Sequence, residues 1–449
     1  MKGSEGKVKF FHISDLHIGK RVCGFSMLED QREILAQILN LAKEQKPDGI
    51  WIAGDLYDKS MPSAEAVEVA DWFLSELAAM QIPVWAISVN HDCAERIAYG
   101  SRMMEQAGIY MSRVYDGTVQ KYTIRKEDGK AQISSMADSD GKDTGRGEIA
   151  DIYLLPYIKP VQVRRFFPEE PIETTQDAVT AILGSLELRQ DRMNVLLMHQ
   201  FLAGASVCDS EELSVGGSDQ VSAATVDAFD YVALGHLHGP QRVGRETVRY
   251  CGSPLKYSFS EAGHRKSVTV VLTGEDAVNT GAEEIHRIEA KQECEEDWAA
   301  KRNAGICIRT IPLVPRRDMR EIRGPIGQLL SPGVYRETNT EDYLHITLTD
   351  ENPVIDAIGK LREVYPNVMR LDFESGKETE LLREEVEIEE KSPQELFEEF
   401  FFRQNGKEMQ EAQRKTVEEI WQKNTGKDRM EKTDGKNGIG RETGGGDLT

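Results

Sequence analysis

At 449 residues the chain has room for two or three domains, each with a core of its own. An apolar share of 39% is ordinary for a water-soluble globular protein, and no apolar run approaches the roughly 20 residues a membrane-spanning helix needs. The net charge of −22 argues against a nucleic-acid binder that works alone through a basic face, although bound cations or a partner can reverse the local charge.

The opening, MKGSEGKVKFFHIS, passes from a polar stub straight into an apolar strand, so no leader is expected. Cys23, Cys93, Cys208, Cys251, Cys294 and Cys307 are scattered singly with no C-x-x-C pair, which suits reduced thiols and a cytoplasmic protein. Residues 1–274 alternate short apolar runs with amphipathic stretches, the rhythm of an α/β layered domain. VKFFHIS, GIWIAG, PVWAISV, NVLLMH and YVALG each read as a buried strand. Leu28, Leu35, Ile38 and Ala42 space a first helix that Pro47 stops. Val67, Ala70, Leu74 and Leu77, following Pro62, space a second, and Ile97, Met103 and Met104 mark a third. The polar stretch 127–148 reads as a hairpin tip or flexible insert.

Near residue 275 the pattern changes. GICIRTIPL, RDMREIRGPIGQLL, DYLHITLTD, PVIDAIGKLREVY and NVMRLDFE read as strand, helix, strand, helix, strand, a small α+β domain over 275–376. Asn352-Pro353 is the expected cap of its second helix. An acidic linker follows over 377–391. Ser392-Pro393-Gln394-Glu395 then forms a capping box that opens a helical hairpin over 392–425, with Leu396, Phe397, Phe400 and Phe401 on its apolar stripe. Residues 426–449, rich in glycine and charge, read as a disordered tail.

The chemistry gathers where the five strands end. They run out into Asp15-Leu16-His17, Gly54-Asp55, Asn90-His91-Asp92, His199, and His236-Leu237-His238. Ligands collect outside the carboxyl ends of strands in open α/β sheets. Each element alone has a bland explanation: Asp55 could cap a helix, Asn90 could shape a turn, and two histidines in a turn could be solvated. Five coincidences at five strand ends favour one shared site. Oxygen and imidazole donors without thiolate suit Mn²⁺, Mg²⁺ or iron rather than a structural zinc. Asp55, central among the motifs, has two oxygens with which to bridge two ions, and a pair of divalent ions about 3.5–4 Å apart is the arrangement that clamps a phosphate.

The ordered set DLHIG, GDLYD, NHD, MHQ, GHLHGPQ and YCGSPLKYSFSE resembles the calcineurin-like metallophosphoesterases, and within them the SbcD nucleases of bacterial repair complexes, from about residue 8 to 424. The resemblance implies an α/β fold: a layered metallophosphoesterase β-sandwich flanked by helices, with a capping domain and a C-terminal helical hairpin. It implies Asp15, His17, Asp55 and His238 on one ion, and Asp55, Asn90, His199 and His236 on the other, manganese first and magnesium second. It implies that His91 is the catalytic histidine at the scissile phosphate, with Asp92 orienting it, and that Asp58 lies near the nucleotide. The implied activity is double-strand 3′–5′ exonuclease and single-strand or hairpin endonuclease action in DNA repair and recombination. The implied partners are DNA and an ATPase subunit, SbcC, docked on the 392–425 helices, with the chain a homodimer inside a heterotetramer.

His12, inside a strand, reads as a satisfied core histidine, and His264, His286 and His345 as surface or structural ones. Lys20 and Arg21 read as a solvated loop that could otherwise touch phosphates. The third motif usually begins with glycine and here begins with Val89, with Cys93 where serine is common. Valine would be a misfit there if the position needs positive φ. Two other functions share these motifs: a phosphatase for small phosphomonoesters or cyclic nucleotides, and a non-catalytic scaffold.

Overall fold

The computed structural model describes residues 8–89, 100–127, 130–135, 148–211, 219–273, 305–374, 413–415 and 417. The chain divides into two compact units, Met1–Glu374 and Ser375–Thr449. Of the second unit, residues 413–415 and 417 are described, and they are helical; the expected linker, the rest of the helical hairpin and the tail lie outside the described residues.

All five expected strands are present: Lys9–Ile13, Gly49–Ile52, Val84–Ala86, Met193–Met198 and Tyr231–Leu234. All five are buried at nearly every position, which is why they read as unbroken apolar runs rather than as alternation. Among the described residues they belong to two large sheets. One has six strands in the spatial order Ile306–Pro312, Ser267–Thr273, Lys9–Ile13, Gly49–Ile52, Val84–Ala86, Ile109–Met111. The other has seven, in the order Gln241–Val243, Arg245–Tyr250, Tyr231–Leu234, Met193–Met198, Glu148–Leu154, Gln120–Glu127, Lys130–Ser135.

The sheets pack face to face. Phe10, Trp51 and Trp85 from the first meet Tyr122, Ile152, Val195, Leu197 and Tyr231 from the second. Phe10 stacks on Trp51 with ring centroids 4.4 Å apart, and truncating a buried ring of this size to alanine costs about 3–5 kcal/mol. His12 points the same way and is satisfied, with Nδ1 2.9 Å from Tyr231 Oη and Nε2 3.2 Å from Leu234 O. Burial holds its imidazole down at about 3, so it is neutral. The alternate residues, Phe11 and Ile13, face helices α1 (Leu28–Gln45) and α2 (Ala64–Ala79). The outer face of the second sheet is covered by the helix Thr175–Gly184 and neighbouring loops. The fold is therefore an α/β sandwich of two sheets between helical layers.

Four local expectations differ from the structure. Ile306–Pro312 pairs antiparallel with Ser267–Thr273 and so extends the first sheet, rather than opening the small domain. Met319–Gly324 is a strand rather than part of a helix, because Pro325 disfavours helical geometry at Gly324; a short helix, Ile326–Leu329, follows the proline. The next helix starts at Ala357 and not at Pro353, capped by Asp356, whose side chain accepts a bond from Gly359 N. Met319–Gly324, Tyr343–Leu348 and Val368–Phe373 form a parallel three-stranded sheet with its own core of Leu329, Leu344, Ile346, Leu361 and Tyr365. This sheet is fastened to α1: Arg317 Nε lies 3.0 Å from Asp30 Oδ1, and Tyr343 Oη donates to Asp30 Oδ2 at 2.7 Å. Within the stretch 127–148 expected as a hairpin tip or insert, Lys130–Ser135 is instead a strand paired antiparallel with Gln120–Glu127, and residues 128–129 and 136–147 lie outside the described residues. No helix among the described residues is long and apolar enough to cross a membrane.

Candidate metal centre

Register carries the candidate residues to one end of the molecule. In the first sheet Ile13 is level with Ile52 in a parallel pair, so both chains leave their strands at one height. The exits are then stitched together: Ala53 N donates to Ile13 O at 2.9 Å, Asp15 N to Gly54 O at 3.1 Å, and His17 N to Asp55 O at 2.9 Å. In the second sheet Met198 is level with Leu234, and Gly235 N donates to Met198 O at 3.2 Å. Two contacts join the sheets here. His199 Nδ1 lies 2.8 Å from Ala53 O, and His236 N donates to Asp15 Oδ1 at 2.9 Å. Gly54 and Gly235 permit the approach, since a Cβ on either would run into the His199 imidazole.

The backbone is strained at the same place. Asp15, His17, Asp55 and His236 have φ of 53°, 44°, 48° and 105°, and they are four of the eight described non-glycine residues with positive φ. Such conformations cost about 1–3 kcal/mol each and persist where the surroundings over-determine them. The backbone ladder between the two exits is what does so here.

The side chains converge on two adjacent groups. Ligand atoms of Asp15, His17 and His238 lie within 4.8 Å of one another, and so do those of Asp15, Asp55 and His199; all five residues are buried. Asp15 belongs to both groups. Asp55 also faces both, with Oδ2 3.1 Å from His199 Nε2 and 3.6 Å from His17 Nε2. The His236 ring stands beside His199, centroids 5.3 Å apart.

These residues fit divalent cations, and His199 supplies the test. With Nδ1 engaged by the Ala53 carbonyl, the tautomer places a lone pair on Nε2. That buried atom makes no hydrogen bond, yet it faces a carboxylate oxygen at 3.1 Å. Two lone-pair atoms so placed need a positive charge between them. Burial alone would lower the His199 imidazole, but the Asp55 and Asp15 carboxylates outweigh it and raise it to about 9, the proton standing where a cation fits. Burial pushes the Asp15 carboxyl above its ordinary range, against the opposing pull of His199 and His238. The donor set of oxygen and imidazole, with no thiolate, suits Mn²⁺ or Mg²⁺.

Outside the two groups opens a cleft of about 550 Å³, lined by His17, Asp55, His236 and His238 together with Lys20, Asp58, Lys59, Met61 and Glu211. Lys20 is not the solvated residue expected. Its side chain is 18% exposed and pairs with Asp58 at 2.8 Å, and its ammonium lies 5.5 Å over the Tyr257 ring. Val89 is buried, has no positive φ, and fills the space over Gly54 beside His199, so valine is not a misfit at this position.

Asn90, His91, Asp92, Cys93 and His286 lie outside the described residues. His264 packs against Gly239, directly after the His236-Leu237-His238 motif, with Nε2 3.9 Å from Cys208 Sγ, whereas His345 lies in the small sheet between Glu321 and Asp372 at 2.9 and 2.8 Å. Several neighbours of the site escaped sequence reasoning. Glu211 accepts from His238 N at 2.5 Å, and burial raises its carboxyl. Glu261 and Ser210 contact His238 Nδ1 at 3.3 and 2.8 Å. Gln31 Nε2 donates to His17 O at 2.7 Å. The one available signal was the segment YSFSE, which matched a motif but has no strand end to mark its carboxylate.

Two family models match the chain. The calcineurin-like phosphoesterase model covers residues 8–240. The SbcD C-terminal model, described as the type 5 capsule protein repressor C-terminal domain, covers 315–405. One solved structure aligns with 59% of this chain and 95% of its own length at 12% identity, with a TM-score of 0.33. Another, Yfce, a phosphoesterase from E. coli, aligns with 59% and 91% at 14% identity, with a TM-score of 0.24.

Proposed function

This chain belongs to the calcineurin-like phosphoesterase family, with a C-terminal match of the SbcD type, and on that premise we propose that it is a two-metal DNA phosphodiesterase, acting as 3′–5′ exonuclease on double strands and endonuclease on single strands or hairpins. The observation that supports the reading most is the convergence of Asp15, His17, Asp55, His199, His236 and His238 from the ends of four strands, two level in each sheet, with His17, Asp55, His236 and His238 opening onto the cleft. Asp15, His17, Asp55 and His238 would hold one ion, and Asp55, Asn90, His199 and His236 the other.

When bound, such ions act as Lewis acids on a phosphoryl group and ready a water for attack. The chain's own residues do the rest. The ladder between the Asp15 and Asp55 exits keeps both carboxylates in place before substrate arrives, so no reorganisation is needed at the moment of reaction. Lys20 lies at the cleft wall with its ammonium turned by Asp58, positioned to donate to a phosphate oxygen in exchange for that carboxylate. His91 is assigned the proton delivered to the leaving oxygen, with Asp92 orienting the imidazole.

An acidic chain needs help with a polyanion. The positive charge at the cleft comes from the ions and from Lys20 and Lys59, and the remaining grip is assigned to the ATPase partner and to a second copy of the chain. The test is the purified chain with Mn²⁺ on linear duplex, hairpin DNA and a chromogenic phosphomonoester in parallel. Cleavage of both DNA substrates at rates well above the monoester is expected. Efficient monoester turnover with intact DNA would instead make the chain a small-substrate phosphatase.

A further inference from the structure

Behind His238 lies a carboxylate–ammonium pair that the two ligand sets do not use. Glu261 is fully buried and Lys266 is 5% exposed. Lys266 Nζ reaches Glu261 Oε2 at 2.5 Å, Ser253 Oγ at 2.8 Å and His238 O at 2.9 Å, which occupies all three of its donors. Glu261 Oε1 accepts from Ser210 Oγ at 2.6 Å and from Tyr257 N at 3.2 Å, and stands 3.3 Å from His238 Nδ1. One residue is therefore gripped at both ends: Lys266 holds the His238 carbonyl, and Glu261 with Ser210 holds its ring.

We propose that Glu261 and Lys266 are positioning residues for His238, fixing the tautomer and the aim of the imidazole toward the ion it shares with Asp15 and His17. The inference rests on the reading of His238 as a metal ligand. A carboxylate has no proton to give, so the ring must offer its own from Nδ1. That leaves the lone pair on Nε2, the atom that faces His17 Nε2 at 3.0 Å. An isolated buried carboxylate would also draw charge toward itself and compete with the cation for the imidazole. Lys266 cancels that charge without touching the ring.

A buried ion pair is poor evidence for stability, because an apolar pair of similar volume usually serves as well. Retaining two charges here is explained by the direction they impose on His238. The segment that supplies them, YCGSPLKYSFSEAGHRK, thereby acquires a use: it is the backing of the first ligand group.

The experiment measures Mn²⁺ binding to the full chain by calorimetry and by electron paramagnetic resonance, for wild type, Glu261→Gln and the double variant Glu261→Gln/Lys266→Met. The double variant leaves no unpaired buried charge, so it keeps the protein foldable if the single one does not. Loss of an outer partner of a ligating histidine typically weakens metal binding about 10–100-fold. The expectation is a weakening of that order at one of two sites, with the other site unchanged and thermal unfolding of the double variant near that of wild type. Two sites of wild-type affinity in either folded variant would overturn the positioning role. Failure of the wild-type chain to bind Mn²⁺ would overturn the ligand reading of the centre instead, so the two failures are distinct.

Discussion

At the scale of single residues, the centre is a balance of charges that only a cation completes. Asp55 faces His17 and His199 at once, and its replacement should show whether it serves both ions. Asp55→Asn keeps the shape but offers one oxygen and an amide nitrogen, so elemental analysis should find bound Mn²⁺ largely lost and hydrolysis gone. Two ions retained per chain would refute the shared-ligand role. His91→Gln makes the contrast on the same preparations. Metal content and DNA affinity should hold while turnover falls about 10²–10⁴-fold, the usual contribution of a general acid. If that variant sheds an ion, His91 is a ligand. If it cuts at the wild-type rate, the proton has another source.

At the scale of elements, the structure shows which kinds of pattern a sequence reveals. The strands that feed the site were legible because burial on both faces writes a continuous apolar run, and because each ends abruptly in Asp, Asn or His. The two ligand groups follow from register alone once those ends are known. Ile306–Pro312 was misassigned because an edge strand of a large sheet and the first strand of a small domain look alike locally; only its partner, Ser267–Thr273, tells them apart. Met319–Gly324 carries apolar residues at helical spacing with those beyond Pro325, and that continuity masks the boundary the proline sets. Glu261 and Lys266 were not recognised, since nothing local announces that two charged residues will be buried together. The fastening of the small sheet also depends on distant partners. Asp30 is buried, with Arg317 and Tyr343 as its bonded neighbours across the junction. Arg317→Ala should cost about 1.5–3 kcal/mol by removing a charged hydrogen bond. Denaturant titration and limited proteolysis near residue 315 would register the loss, and an unchanged profile in both would mean that packing alone holds the sheet.

At the scale of the whole molecule, the proposed chemistry belongs to the first unit and the proposed partnership to the second. Truncation after Lys391 should leave metal binding and a low DNA-cleaving activity intact while abolishing association with the ATPase subunit. The motive is the sequence of 392–425, in which Leu396, Phe397, Phe400 and Phe401 fall at helical spacing, the pattern of a helix that buries one face on a partner. Phe397→Asp/Phe400→Asp should mimic the truncation by placing charge in that contact. Co-purification of the ATPase at wild-type yield with either variant would remove the assignment.

The order of the first sheet has a consequence for how the protein is made. Lys9–Ile13 emerges from the ribosome before the other strands of its sheet and sits in the middle of that sheet, where Phe11 pairs with Val270, roughly 260 residues later in the chain. Translation at about 5–20 residues per second separates the two by many seconds. A nascent chain that has reached residue 240 already carries every proposed ligand, yet its first strand still exposes a bare edge, a hazard for mispairing. The centre is thus spelled out early and locked late, and the closing step belongs to Ser267–Thr273, a strand that contributes no ligand at all.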